Sequence, residues 1–280
     1  MSGIAVIHNL DGRPVDRGLL SRMIEAAPYR GPDGIHVWTD GPVGLAHAMM
    51  CTTVESLRES QPLVDGDAGL VLTLDGRVDN REELSALLTA KGCRPRDDTD
   101  AELVLRAYEC WGEDSPAKII GDFAYALWDA RRRQLFCARD VLGVKPLYYF
   151  CDGTIFLAAS ELHQLMACSR VSHELNEGQI AEYLSAELRN RDETFYADIR
   201  RLPGAHFLAV DSAGVRLNRY YDLRSTADLH YANDGEYAEH FREIFRESVR
   251  CCMRSNAPVA ATLSGGLDSS SLLGMAASIL

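Results

Sequence analysis

The sequence predicts an α+β fold of helices packed on layered antiparallel sheet, followed by the first strand and helix of a second, α/β domain. Three observations predict it. Short apolar segments divided by turns fill residues 43–75 and 122–159. Two capped, helix-periodic stretches lie between those blocks. Residues 259–280 then run from an apolar strand through a glycine turn into a helix pattern.

The elements follow in order. Residues 2–8 read as a strand. Leu19, Leu20, Met23, Ile24 and Ala27 share one face of a helix over 16–27. Strands are expected at 43–48 and 69–75, the latter ending at Asp75-Gly76. Asn80 with Glu83 suggests a capping box for a helix stopping at Gly92, and Thr99 with Glu102 suggests another for a helix stopping near Gly112. Residues 122–159 read as an antiparallel meander with turns at 130–134, 142–146 and 152–153. A helix near 177–187 and a hairpin turning at 211–214 follow. The polar stretch 222–235 is the expected linker between a domain at 1–221 and a second at 236–280, which opens with a helix carrying Tyr237, Phe241, Ile244, Phe245, Val249 and Cys252.

Composition narrows the class. The 280 residues are 46% hydrophobic and 25% charged, with net charge −12. An acidic surface argues against nucleic-acid binding, which needs a basic patch. Arg131, Arg132 and Arg133 are adjacent but read as a solvated turn. No apolar run approaches the roughly 20 residues of a membrane span. The N-terminus lacks a basic leader and apolar core, so a cytoplasmic protein is expected. The eight cysteines show no C-x-x-C spacing and the histidines no metal-binding pair, so reduced thiols and no metal site are expected.

The strongest motif is Leu263-Ser264-Gly265-Gly266-Leu267-Asp268-Ser269-Ser270 between strand and helix. Glycines let backbone approach an anion, and the amides of a helix N-terminus point at it. The serine hydroxyls add donors. The plain alternative is a glycine turn with a serine-rich cap. A Walker A pattern is absent.

Several motifs together carry a resemblance. Arg30-Gly31-Pro32-Asp33, Leu45-Ala46-His47, Gln61-Pro62-Leu63, Arg139-Asp140 with Gly143 and Lys145–Tyr149, Ala159-Ser160-Glu161 and the 264–270 loop occur in the order found in asparagine synthetases. The chain resembles that family along its length. The resemblance implies an Ntn-hydrolase-type glutamine amidotransferase domain, then the start of an ATP-pyrophosphatase synthetase domain that reads as cut short. It implies binding of ATP, with its pyrophosphate on residues 263–270, and a requirement for Mg2+. It also implies adenylation of a carboxylate for attack by an amine.

The departures concern the glutamine pocket. The family's cysteine nucleophile is replaced by Ser2, expected to become N-terminal once Met1 is removed. Met49 stands where the family has an arginine for the glutamine carboxylate. Asp75-Gly76-Arg77 replaces its N-G-E, whose asparagine donates to the oxyanion. Asp100 alone matches the acid that holds the glutamine ammonium, though an acid in the first turn of a capped helix is stabilising anyway. A retained domain with an inactive glutaminase site is expected, and the chain by itself is expected not to complete a reaction. Arg30 and Arg139, each beside an aspartate, read as structural residues, with buried ion pairing explaining them as well as ligand contact does.

The amine must then come from elsewhere. Met1–Ala5, His8 with Leu10–Asp16, and Asp75 with Val78–Leu84 are similar to the branch that closes lasso-peptide macrolactams. The expected carboxylate is then an Asp or Glu side chain of a precursor peptide. The alternatives are free aspartate, as in asparagine synthetase, and a non-catalytic binding module.

Overall fold

The computed structural model describes residues 1–223 and 228–280. It divides into two compact units: Met1–Met50 with Arg58–Asp222, and Cys51–Leu57 with Leu223–Leu280.

The first unit is built on two six-stranded antiparallel sheets. One contains β1 (Gly3–Asn9), β2 (Gly34–Asp40), β3 (Val43–Met49), β8 (Tyr148–Cys151), β9 (Ile155–Ala159) and β10 (Arg200–Arg201), in the order β10-β8-β9-β1-β3-β2. The other contains β4 (Leu63–Asp65), β5 (Leu70–Val78), β6 (Gly121–Asp129), β7 (Gln134–Arg139), β11 (His206–Asp211) and β12 (Gly214–Arg219), in the order β12-β11-β7-β6-β5-β4.

Alternation along the strands decides the layering, because successive side chains point to opposite faces. Ile4 and Val6 of β1 meet Ala124, Ala126, Leu208 and Val210 in a core between the sheets. Ala5 and Ile7 pack with Leu20, Met23 and Ile24 of α1 (Arg17–Glu25) and Leu165 of α4 (Leu162–Leu165). On the far side, Leu72, Leu74, Tyr125 and Phe136 pack with Leu84 and Leu88 of α2 (Arg81–Ala90) and Val104 and Leu105 of α3 (Asp100–Trp111). The order is helix, sheet, sheet, helix. Both faces of the central strands are buried, so they read as near-continuous apolar runs.

Several local expectations are corrected. Residues 122–159 do not form one meander: β6–β7 belong to one sheet and β8–β9 to the other, and the chain crosses over at 140–147. Strand β5 does not end at Gly76 but continues to Val78, paired along its length with β6. Gly76 fits there because a Cβ would lie 2.7 Å from Asp122 O and Phe123 Cβ. The sequence does not predict strand β2, whose burial shows no clean alternation. The Asn80–Glu83 capping box does not form. Asn80 instead donates to Lys118 O at 3.0 Å and accepts from Ile120 N at 2.9 Å, bracing the loop before β6. Thr99 does cap α3, accepting from Glu102 N, but the Glu102 carboxylate turns to Arg96 and Arg106 rather than back to the cap.

Helix α5 (Glu177–Leu184) completes the helices of the first unit. The second unit holds α6 (Asp234–Cys252), capped by Asn233, and α7 (Leu267–Ile279). Asp234 and Gly235, read as linker, form the first turn of α6. Of the linker expected at 222–235, residues 224–227 lie outside the described residues. The strand expected at Val259–Leu263 is not formed: the segment is exposed, with no ladder partner among the described residues.

Candidate functional site

Ser2 leads directly into β1, the strand between β9 and β3. Its surroundings are assembled by the loops that carried the sequence motifs. Ser160 receives a hydrogen bond from Ile4 N at 3.0 Å and returns one to Ile4 O at 3.1 Å, fixing the start of the strand. Arg30 donates to Ser2 O and to Glu161, both at 2.8 Å, and lies 3.4 Å from Asp75.

Arg139 and Asp140 build the crossover loop. Arg139 is structural as expected, though through carbonyls rather than an ion pair: it donates to Gly143, Lys145 and Leu202 O at 2.5, 2.5 and 2.6 Å. Asp140 accepts from Val144 N at 2.9 Å and Lys145 N at 3.0 Å. The turn so held delivers Lys145 Nζ to 3.3 Å from Asp75.

Asp75 is 1% exposed and sits between two cations, Arg30 and Lys145. Burial pushes its carboxyl above the ordinary value, while Lys145, Arg30 and the chain's amine pull it back. Arg30 itself reads as expected, a buried ion-pair residue. Arg77, two residues on along β5, pairs with Asp79 at 2.8 Å.

The hydroxyl of Ser2 is engaged as well. Ser2 Oγ accepts from Met50 N at 3.1 Å, and the Met1 amine donates to Met50 Sδ at 2.7 Å. With Met1 in place the amine stands one residue upstream of the hydroxyl. Met49 is buried, with its sulfur 3.3 Å from Nε2 of the fully buried His47. Desolvation lowers His47 to about 3, so its ring is neutral.

Asp100 is buried and ion-paired with Arg81. Its connection toward Asp75 runs through Glu59 and Gln61. Glu59 accepts from Ala101 N at 3.0 Å and Gln61 Nε2 at 3.1 Å, and Gln61 brackets Leu74, beside Asp75, through its amide. Burial, then the Asp100 charge, raise Glu59 to about 7. Sequence reasoning does not single out Lys145, Glu161 or Glu59. The first two lie inside matched motifs, which is the available signal.

The motif at 263–270 lies in the second unit and is solvent-facing. Gly265 adopts φ +82°, a left-handed turn that glycine takes without strain. Ser264 and Ser269 hydroxyls meet at 3.1 Å, and Ser269 and Ser270 donate to Gly266 O at 3.2 and 2.9 Å. Gly266 is the N-cap of α7, with no side-chain cap bond. The first turn of α7 therefore points amides outward under the helix dipole. Leu267 and Asp268 lie in this turn, and Leu263 precedes it, 57% exposed.

A sandwich of this layering, with a hydroxyl residue opening its first strand, defines an Ntn-hydrolase-type glutamine amidotransferase domain. Solved structures agree on the fold. The glutamine phosphoribosylpyrophosphate amidotransferase from B. subtilis, complexed with ADP and GMP, superposes with a TM-score of 0.57 at 13% identity, covering 99% of this chain and 64% of that one. An allosteric regulatory enzyme of purine biosynthesis gives 0.57 at 15% identity over 78% of this chain and 49% of that one.

The chain belongs to the glutamine amidotransferase domain family, which matches residues 1–221, and its residues 240–280 match the asparagine synthase family. Asparagine synthetase [glutamine-hydrolyzing] 3 of Bacillus subtilis (strain 168) is 29% identical over 264 residues, 94% of this chain and 43% of that protein. A putative asparagine synthetase [glutamine-hydrolyzing] of Mycobacterium bovis is 30% identical over 273 residues, 92% of this chain and 42% of that protein. Amidase chry2 of Gibberella zeae is 29% identical, spanning 93% and 39%. The chain thus spans about two fifths of the length of these relatives.

No helix among the described residues is long and apolar enough to cross a membrane. All eight cysteines are free thiols.

Proposed function

We propose that the full-length protein is an ATP-dependent, amide-forming ligase whose N-terminal domain does not hydrolyse glutamine. One observation supports the second half of this reading: Asp75, standing where asparagine synthetases have their oxyanion donor, is buried and paired with Arg30 and Lys145. An acceptor carboxylate replaces a donor, and losing one such donor alone costs about 100- to 1,000-fold in rate. Met49 offers no partner to a substrate carboxylate, and the hydroxyl of Ser2 is bonded to the Met50 amide. The arrangement binds itself instead of glutamine.

The ligase half rests on family membership and on the exposed loop at 263–270. Its outward amides and hydroxyls suit the pyrophosphate of ATP. The carboxylate substrate attacks the α-phosphate, pyrophosphate leaves, and an amine displaces AMP from the acyl-adenylate. Among the described residues no group of three or more His, Cys, Asp or Glu could hold a metal, so no step is assigned to Mg2+, which would arrive on the nucleotide. A domain without glutamine hydrolysis fits an amine carried by the substrate, as in lasso-peptide cyclisation. The other reading is asparagine formation from aspartate and free ammonia.

Two measurements on the full-length protein test this. Glutamate release from glutamine, with and without ATP, is expected at background, and turnover at amidotransferase rates would overturn the inactive-pocket reading. ATP–pyrophosphate exchange is expected to require an acid. Stimulation by a precursor peptide favours cyclisation, stimulation by free aspartate favours asparagine formation, and no exchange with either favours a binding module.

A further inference from the structure

The second unit incorporates a short strap from early in the chain, Cys51–Leu57. It follows directly on Met50, whose amide holds the Ser2 hydroxyl. The strap braces itself. Thr53 N donates to Ser56 Oγ at 3.0 Å, Ser56 N to Thr53 Oγ1 at 3.2 Å, and Ser56 Oγ to Thr53 O at 2.7 Å. Both residues are buried. Few internal degrees of freedom remain in a segment so cross-bonded.

The chain leaving α6 is fastened to this strap. Asn256 N donates to Thr52 O at 3.0 Å, and Asn256 Nδ2 donates to Cys51 O at 3.1 Å. Arg254 reaches Glu55 at 3.8 Å. Beyond Asn256 the segment up to Ser264 is neither helix nor strand and is exposed. A segment without ladder bonds or burial takes its direction from its anchored ends. Here those ends are Asn256 and the start of α7.

We propose that Asn256, held by the Cys51–Leu57 strap, is a positioning residue for the phosphate loop. The proposal rests on reading 263–270 as the nucleotide site. Anchoring Asn256 removes chain freedom that nucleotide binding would otherwise have to remove, so it lowers the cost of binding without touching ATP. It also gives an N-terminal sequence without glutaminase chemistry a role in the second unit, because that sequence supplies the strap.

The test uses the full-length protein with Asn256→Ala. Exchange of the residue-256 amide, which stays bonded to Thr52 O, is expected to accelerate about fivefold, since the side-chain bond to Cys51 O is lost. The KM for ATP in pyrophosphate exchange is expected to rise about fivefold or more, with kcat at saturating ATP within about twofold. Glu55→Arg should act in the same direction, and pairing it with Arg254→Glu should recover most of the loss. Unchanged amide exchange in Asn256→Ala overturns the proposal, as does accelerated exchange with an unmoved KM. If the wild-type protein performs no pyrophosphate exchange, the ligase reading fails, while amide exchange still judges the strap by itself.

Discussion

Near Ser2, Asp75 is 1% exposed and flanked by Arg30 and Lys145. Around Ser264, the corresponding equipment is solvent-facing: Leu263 is 57% and Leu267 86% exposed, and the α7 amides lack a side-chain cap. Both regions place polar donors at the edge of an element. In the first the charged groups pair with one another in a buried setting, while in the second the hydroxyls bond within an exposed loop. The two regions thus differ in burial and in where their polar groups find partners.

The largest expected effect breaks the closed region. Arg30→Ala removes the partner of Glu161 and Asp75 and a donor to Ser2 O, leaving the buried Asp75 carboxylate under-compensated. A loss of about 3–5 kcal/mol in unfolding free energy is expected by denaturant titration. A loss below about 1 kcal/mol would mean that the Ser2 end is not held by this network.

The open region is expected to respond through its ligand. Gly265→Ala places a side chain at φ +82°, costing about 1–2 kcal/mol in the loop conformation. ATP affinity should fall about five- to thirtyfold by calorimetry, with little change in global stability. Unchanged affinity would separate the loop from nucleotide binding.

A pH comparison sharpens the account of the pocket wall. Burial, followed by the Asp100 charge, raises Glu59 from 4.5 to about 7 in the folded chain. The folded state holds this proton more tightly than the unfolded state, so the associated stability is present at low pH and is lost as pH rises toward about 7. His8 and His47, lowered by desolvation to about 4 and about 3, act oppositely: their contribution is present above 6.5 and lost as pH falls. The wild-type profile sums these slopes, so the comparison with Glu59→Gln isolates the carboxyl. Relative to the variant, the wild type should lose stability between about pH 5 and 7 in urea titrations. Parallel profiles would remove Glu59 as a titrating group.

The smallest effect is expected from Ser2→Ala. With no covalent role assigned to the hydroxyl, pyrophosphate exchange should stay within about twofold in a standard assay. A loss of about 100-fold would give Ser2 a chemical role and undo the contrast between the two regions.

Much of the layered fold was legible because its signals are local or periodic. Leu20, Met23 and Ile24 share one helix face, Thr99 caps α3, and the turns at 130–134 and 152–153 separate strands as expected. The candidate site was legible as positions: Ser2, Met49, Asp75 and Asp100 were identifiable as departures or matches from neighbouring motifs. Their partners were not. Lys145 reaches Asp75 only because Arg139 and Asp140 fold the crossover loop, and Asn80 abandons its cap because Lys118 and Ile120 lie beside it.

By itself, then, the sequence determined most element types, though not β2 or the missing strand at 259–263, along with the family and the residue chemistry at each candidate position, since these depend on composition, periodicity and short-range spacing. The tertiary structure decided which sheet each strand joined, that β5 runs on past Gly76, and that Asp75 is enclosed by two cations while the 263–270 loop stays open. Those outcomes depend on pairing between residues distant in sequence, where charge, burial and close approach are set by neighbours that a local pattern does not contain.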